Sequence, residues 1–218
     1  MVLEIEGVKL LIDPGSYTIE QQNALTGLHG VLITHEHADH IFGLDDLRLM
    51  QFYLGGPVPL FCEEPVEQRI RKSYDYAFNT STDLHRGAVP QIVFRRINTE
   101  PFEVLGARVT PIRMRHGPRF DVLGFRFGKV AYCTDVNAIP FESMSLLAGL
   151  DCLVLDALRP RGHATHYSLD EAIAVARELA PRQTFFTHMS HELDHDATNA
   201  QLPPTMALAY DGQRIPLV

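Results

Sequence analysis

The chain is poor in cysteine, poor in positive charge and without any long apolar run, and each shortage narrows what it can be. Its three cysteines, Cys62, Cys133 and Cys152, stand far apart in 218 residues. They form no C-x-x-C pair and no disulfide framework, so a metal site in this chain must be built from histidine and carboxylates. No apolar run approaches the roughly 18–20 residues of a membrane span, and the opening MVLEIEGVKLLID has no signal-peptide pattern. A soluble cytoplasmic protein that does not enter a membrane is the default expectation. Lys and Arg together number 19 against 27 acidic residues, a net charge of −8. That balance argues against a broad basic surface for nucleic acid. It leaves a small anionic substrate open, because the local charge of a metal can outweigh the global one. Apolar content of 45% and charged content of 21% are ordinary globular values and exclude a disordered tail or a coiled coil. No linker or low-complexity tract divides the chain, which is read as one domain over residues 1–218.

What the chain has in excess is histidine, 11 residues, many of them in short clusters. Periodicity predicts a hairpin from Val2–Glu6 and Val8–Ile12 about Gly7, and a short strand at Val31–Thr34 running into a helix-like stretch to about Tyr53. Further strands are expected at Val58–Phe61, Ile92–Ile97, Arg108–Ile112, Val122–Phe127, Val130–Cys133, Cys152–Leu155, Gln183–Thr187 and Ile215–Val218. Helices are expected at Glu63–Ala77 and at Ser168–Leu179, the second with Ser168 as cap, Glu171 three residues on and Pro181 beyond its end. The elements do not alternate regularly as βαβ units, which suggests layered sheets and helices over a doubly wound fold. One pattern recurs: an apolar strand ending in Thr and then a metal-type residue, in LIT-His35, YCT-Asp135 and FFT-His188. Strand ends on one sheet edge hold such residues rigidly in a common cleft.

The run His35-Glu36-His37-Ala38-Asp39-His40 is the strongest chemical signal. With 11 His and 14 Asp in the chain, this spacing arises by chance in roughly two such chains per thousand. His35 and His37, two apart on a strand-to-loop segment, can face one point, and Asp39 and His40 a second. Neutral imidazoles suit zinc, and the added carboxylate admits manganese or iron.

HEHADH resembles the signature of the metallo-β-lactamase fold, a four-layered αββα sandwich of hydrolases. The resemblance implies the remaining ligands in order: His116 in MRHGPRFDVLGFRF, Asp135 in AYCTD as the bridging carboxylate, and His188 in FFTHMSHE. It implies two divalent cations about 3.5–4 Å apart. One is held by His35, His37 and His116, the other by Asp39, His40 and His188, and Asp135 bridges them. A water shared by two dications becomes hydroxide near neutral pH and serves as nucleophile. Asp13 in LIDPG and Asp156 in LVLDA resemble carboxylates that orient the ligands.

Asp135, where one lactamase subgroup has cysteine, favours the phosphodiesterase or thioesterase branches. RPRGHATHYSLDEA resembles the segment that carries a general-acid histidine in the phosphodiesterases. With FFTHMSHELDH and LAYDG it is most similar to the phosphoribosyl 1,2-cyclic phosphate phosphodiesterases of phosphonate breakdown. This implies His166 as acid for a poor alkoxide leaving group, with His163 its competitor. His166 and Asp39 are thus the candidate catalytic residues, on a small cyclic or nucleotide-like phosphodiester. Arg159, Arg161, Arg115 and Arg119 are candidate phosphate contacts, and the sequence does not choose among them. Two alternatives stay open. One is a thioesterase or lactonase of the same fold, and the other a non-hydrolytic metal or redox module. Relative to its branch the chain starts downstream of an extra strand and a zinc-binding cysteine cluster. No structural zinc is therefore expected, His191 is read as a pocket or surface residue, and the Val2–Ile12 hairpin is left as a sheet edge that a second copy of the chain could cover.

Overall fold

In the computed structural model the described residues are 1–16, 19–79 and 87–216. They form two compact units, Met1–Arg108 and Val109–Val218, each with its own sheet and core. No helix among the described residues is long and apolar enough to cross a membrane.

In the first unit, β1 (Val2–Ile5), β2 (Val8–Ile12), β3 (Gly30–Leu32), β4 (Val58–Cys62) and β5 (Ile92–Arg96) lie side by side in chain order. β1 and β2 are the antiparallel hairpin, and β1 is the sheet edge. From β2 to β5 the strands are parallel. Short helix α1 (Ile19–Ala24) precedes β3. After β3 the expected continuous helix is broken: α2 (Ala38–Ile41), a 3₁₀ run Phe42–Leu49 and α3 (Met50–Leu54). Ile41, Leu44, Leu47 and Met50 recur every third residue and all are buried, and a period of three keeps them on one side only in the tighter 3₁₀ winding. They pack with Leu11, Val31, Ile33, Leu60, Val66 and Ile70. The helix expected at Glu63–Ala77 is likewise two pieces, α4 (Glu64–Ser73) and α5 (Asp75–Phe78). Tyr74 leaves helical geometry between them (φ −120°, ψ 41°), and its hydroxyl donates to the Ile41 carbonyl at 2.8 Å. β6 (Phe102–Val104) was not anticipated.

The chain enters the second unit within β7 (Ala107–His116), which extends four residues beyond the expected strand. It pairs antiparallel with β8 (Phe120–Phe127), and β8 antiparallel with β9 (Val130–Cys133). β10 (Cys152–Asp156) and β11 (Gln183–Thr187) continue in parallel from β9, and β12 (Met206–Leu208) adds beyond β11. α6 (Phe141–Met144) and a 3₁₀ turn precede β10. α7 (Leu169–Leu179) crosses from β10 to β11 and buries Ala172 and Ala176, one turn apart, against Leu153, Leu155 and Phe186. Its start is the expected capping box. Ser168 Oγ accepts the Glu171 amide, and the Glu171 carboxylate accepts the Ser168 amide at 2.8 Å. α8 (His195–Asn199) and β12 were missed. Of the strand expected at 215–218, residues 215 and 216 are irregular and the last two lie outside the described residues.

Candidate metal centre

Each unit gathers donors where the carboxyl ends of parallel strands stand side by side, the edge where open α/β sheets collect their ligands.

In the first unit β2 and β3 are in register at Ile12–Leu32, so Asp13 and, one residue past Ile33, the Thr34-His35 step become neighbours. Asp13 Oδ1 accepts the Thr34 amide at 2.8 Å. Its Oδ2 accepts both the Thr34 hydroxyl at 2.8 Å and His40 Nδ1 at 2.9 Å. With its proton committed to Asp13, Thr34 Oγ1 is left to accept from His35 Nδ1 at 2.9 Å. One buried carboxylate therefore holds the protons of His35 and His40 on Nδ1 and turns the Nε2 lone pair of each to the other side. His35 Nε2 stands 2.9 Å from His37 Nδ1, and the His35 and His40 rings are 4.3 Å apart. Nitrogens shared by one tetrahedral cation at about 2.0–2.1 Å would stand roughly 3.3 Å apart, so this spacing fits a common ion. Asp39 is largely exposed, with Oδ2 3.4 Å from His40 Nε2. It does not cap α2: the N-cap is His37 and no side chain bonds there.

In the second unit β9, β10 and β11 align Cys133 with Leu155 and Asp156 with Thr187. That register brings Asp135, Asp156 and His188 to one edge, and β7, running parallel to β9 across β8, delivers His116 there. The Asp135 carboxylate is buried and accepts the Thr134 hydroxyl at 2.7 Å. Around it stand three imidazoles: His188 Nε2 at 3.5 Å, His116 Nε2 at 3.8 Å and His166 Nε2 at 3.9 Å. His116 Nδ1 donates to the Thr165 carbonyl at 2.8 Å, so Nε2 carries the lone pair. His166 Nδ1 donates to Asp156 Oδ2 at 2.9 Å, and the His166 ring stacks on His188 at 4.9 Å. Asp156, His166 and His188 have ligand atoms within 4.8 Å of one another. Burial pushes the Asp156 carboxyl above its usual range, opposed by the His166 bond. His163 is exposed, 5.3 Å from the His166 ring, and burial with the neighbouring His166 lowers its pKa. Asp135 (φ 55°) and His188 (φ 60°) both adopt the left-handed backbone, as does Asp13 (φ 52°). Such conformations in non-glycine residues cost of order 1–3 kcal/mol each and gather at functional sites.

The donors fit divalent cations: the imidazoles of His35, His40, His116 and His166 have Nδ1 tied back, and a buried carboxylate is ringed by ring nitrogens at distances a cation would close. His191 stays apart, exposed. The arginines are engaged elsewhere or lie outside. Arg115 pairs with Asp121, Arg161 and Arg159 with Glu192 at 3.0 and 3.8 Å, and Arg119 is exposed. Sequence reasoning missed Thr34 and Thr134 as partners of the donors, although the recurrent strand-end Thr was the signal. It also missed Asn137, for which no signal existed.

The model of the beta-lactamase superfamily domain matches residues 9–189. A crystal structure of a diphosphatase of the PhnP family is 36% identical, with a TM-score of 0.89, over all of this chain and 83% of that one. An octanoyltransferase of Porphyromonas gingivalis is 30% identical over 97% of this chain and 43% of its own length. The anti-Pycsar protein Apyc1 of Bacillus phage vB_BveM-Goe7 is 42% identical over 30% of this chain and 28% of its own. The chain thus spans less than half the length of these two curated relatives. Taken with the HEHADH run and the strand-end donors, these matches show that the chain belongs to the beta-lactamase superfamily of the metallo-β-lactamase fold.

Proposed function

We propose that this protein is a metal-dependent phosphodiesterase acting on a small cyclic or nucleotide-like phosphodiester. In this reading His35, His37, Asp39, His40, His116, Asp135 and His188 would supply the ligands of two divalent cations, zinc, manganese or iron. Cations held there would neutralise phosphate charge and acidify a water molecule.

The observation that carries the reading is the setting of His166. Its Nδ1 proton is anchored on buried Asp156, so the ring presents Nε2 on the side of Asp135. A protonated Nε2 can donate to the departing alkoxide of a phosphodiester, a leaving group that is poor until protonated. A thiolate needs no such donor, which disfavours a thioesterase. The likeness to a PhnP-family diphosphatase supports a phosphate substrate. The net charge of −8 supports a small molecule over a nucleic acid.

The test is turnover by protein loaded in turn with zinc, manganese and iron. Substrates are bis(p-nitrophenyl) phosphate, five-membered cyclic phosphates, a nucleoside diphosphate ester, a thioester and a lactone. The expected result is cleavage of the phosphates. In His166→Ala, kcat on the cyclic phosphate should fall by roughly 10²–10⁴-fold, with a much smaller loss where nitrophenolate leaves. Hydrolysis of the thioester or lactone alone, with His166→Ala as active as the parent, would replace this reading by the thioesterase one.

A further inference from the structure

We propose that Asn137 is a positioning residue that holds the His166 loop in its working place. The kinetic part rests on the phosphodiesterase reading, and the structural part does not.

Asn137 lies two residues beyond Asp135, and its backbone is stitched to the His116 strand. Its amide donates to the Arg115 carbonyl at 2.9 Å, and the Arg115 amide donates to the Ala138 carbonyl at 2.9 Å. From that fixed base the side chain reaches two ways. Oδ1 accepts the Gly117 amide at 2.7 Å, just past His116. Nδ2 donates to the Ala164 carbonyl at 3.0 Å, two residues before His166. A donor on one side and an acceptor on the other fix the orientation of the carboxamide. The same loop is gripped at two further points. His116 Nδ1 donates to the Thr165 carbonyl, and the Tyr167 amide donates to the Val136 carbonyl at 2.8 Å. Contact between the turn and the loop is tight: a Cβ on Gly117 (φ +76°) would lie 2.6 Å from Thr165 Cγ2. One carboxamide thereby couples the His116 turn, the Asp135 loop and the His166 loop. Its loss would free the Ala164 side of the loop and leave His166 held by Asp156 and by the flanking Thr165 and Tyr167 bonds, and displacements near 1 Å in a catalytic group can cost about 10²-fold in rate.

Asn137→Asp is the discriminating variant. It keeps the acceptor for Gly117 and sets an oxygen against the Ala164 carbonyl. Amide hydrogen exchange of the metal-free protein reads the loop directly. Exchange at Tyr167 and across 162–166 should accelerate about tenfold, with the β10 and β11 amides unchanged. Unchanged exchange in the loop, or acceleration spread through the whole second unit, would overturn the proposal. In the metal-loaded protein, kcat on a cyclic phosphate should fall about tenfold or more at constant KM and constant metal content. The loss on bis(p-nitrophenyl) phosphate should be far smaller, the same selectivity as His166→Ala. Equal losses on both substrates, or lost metal, would mean that Asn137 acts through Asp135, and would overturn it. Should His166→Ala itself show no selectivity, the phosphodiesterase reading falls, and the exchange result alone decides whether Asn137 holds the loop.

Discussion

Asp13 touches no proposed substrate, yet its replacement is expected to be among the most damaging conservative changes in the chain. Its carboxylate accepts three hydrogen bonds, one on Oδ1 and two on Oδ2, and its side chain is almost fully buried. In Asp13→Asn the new amino group must take one of these positions. In place of Oδ2 it would face two donors, so it takes the place of Oδ1 and opposes the Thr34 amide. That leaves one buried donor unsatisfied, at about 1–3 kcal/mol, and turns two charge-assisted bonds into neutral ones, at about 1 kcal/mol each. The sum is ~3–5 kcal/mol, a large share of the roughly 5–15 kcal/mol that holds a typical protein folded. For a chain of 218 residues each kcal/mol is worth about 2–4 °C, so Tm should drop by roughly 6–20 °C. Since Asp13 also sets the protons of His35 and His40, zinc affinity should fall about 10–100-fold. Thermal unfolding by circular dichroism and zinc competition against a chelator measure the two effects. A Tm shift below about 2 °C with zinc affinity intact would refute the relay from Asp13 through Thr34 to His35.

Ser168→Ala should cost about 1–2 kcal/mol at pH 7 by opening the α7 capping box. The Ser168 hydroxyl and amide hold the Glu171 carboxyl below its usual value of 4.5. A lowered carboxyl stabilises fully above its unfolded pKa and loses that stability as pH falls through the folded one. The gap in urea midpoint between parent and variant should therefore narrow below about pH 4, and a gap constant with pH would contradict the cap. Gly117→Ala should destabilise by about 2 kcal/mol through its positive φ and its clash with Thr165. Adding Thr165→Ser removes the methyl and should restore about half of the loss in a double-mutant cycle. Phe186→Ala, at a fully buried position of the second core, should cost about 3–5 kcal/mol. A loss under 1 kcal/mol by urea unfolding would mean that this core is not close-packed there.

Legibility in the sequence followed locality. β9 and β11 lie where alternation and apolar runs put them, and the box Ser168–Glu171 starts α7 as its spacing requires, because both signals are complete within a few residues. The stretch after His40 misled for a physical reason: Ile41, Leu44, Leu47 and Met50 at intervals of three can be taken for a helix face until the winding is known. β6 and β12, three residues each, are too short to carry a period and exist only through their neighbours. The break at Tyr74 depends on its hydroxyl reaching Ile41, 33 residues away.

The sequence by itself determined the chemistry available. Four donors in HEHADH are neighbours on the chain, and the Thr that precedes His35, Asp135 and His188 marks strand ends whatever the strands do next. Only the tertiary structure decided who serves whom. The parallel registers of β2 with β3 and of β9 with β10 and β11 choose Asp13 for Thr34 and His40, and Asp156 for His166. A hydrogen bond between residues 10 to 27 apart exists because strands are set edge to edge by the burial of their apolar faces. That burial is a property of the whole core, with no trace at the carboxylate or the imidazole it brings together.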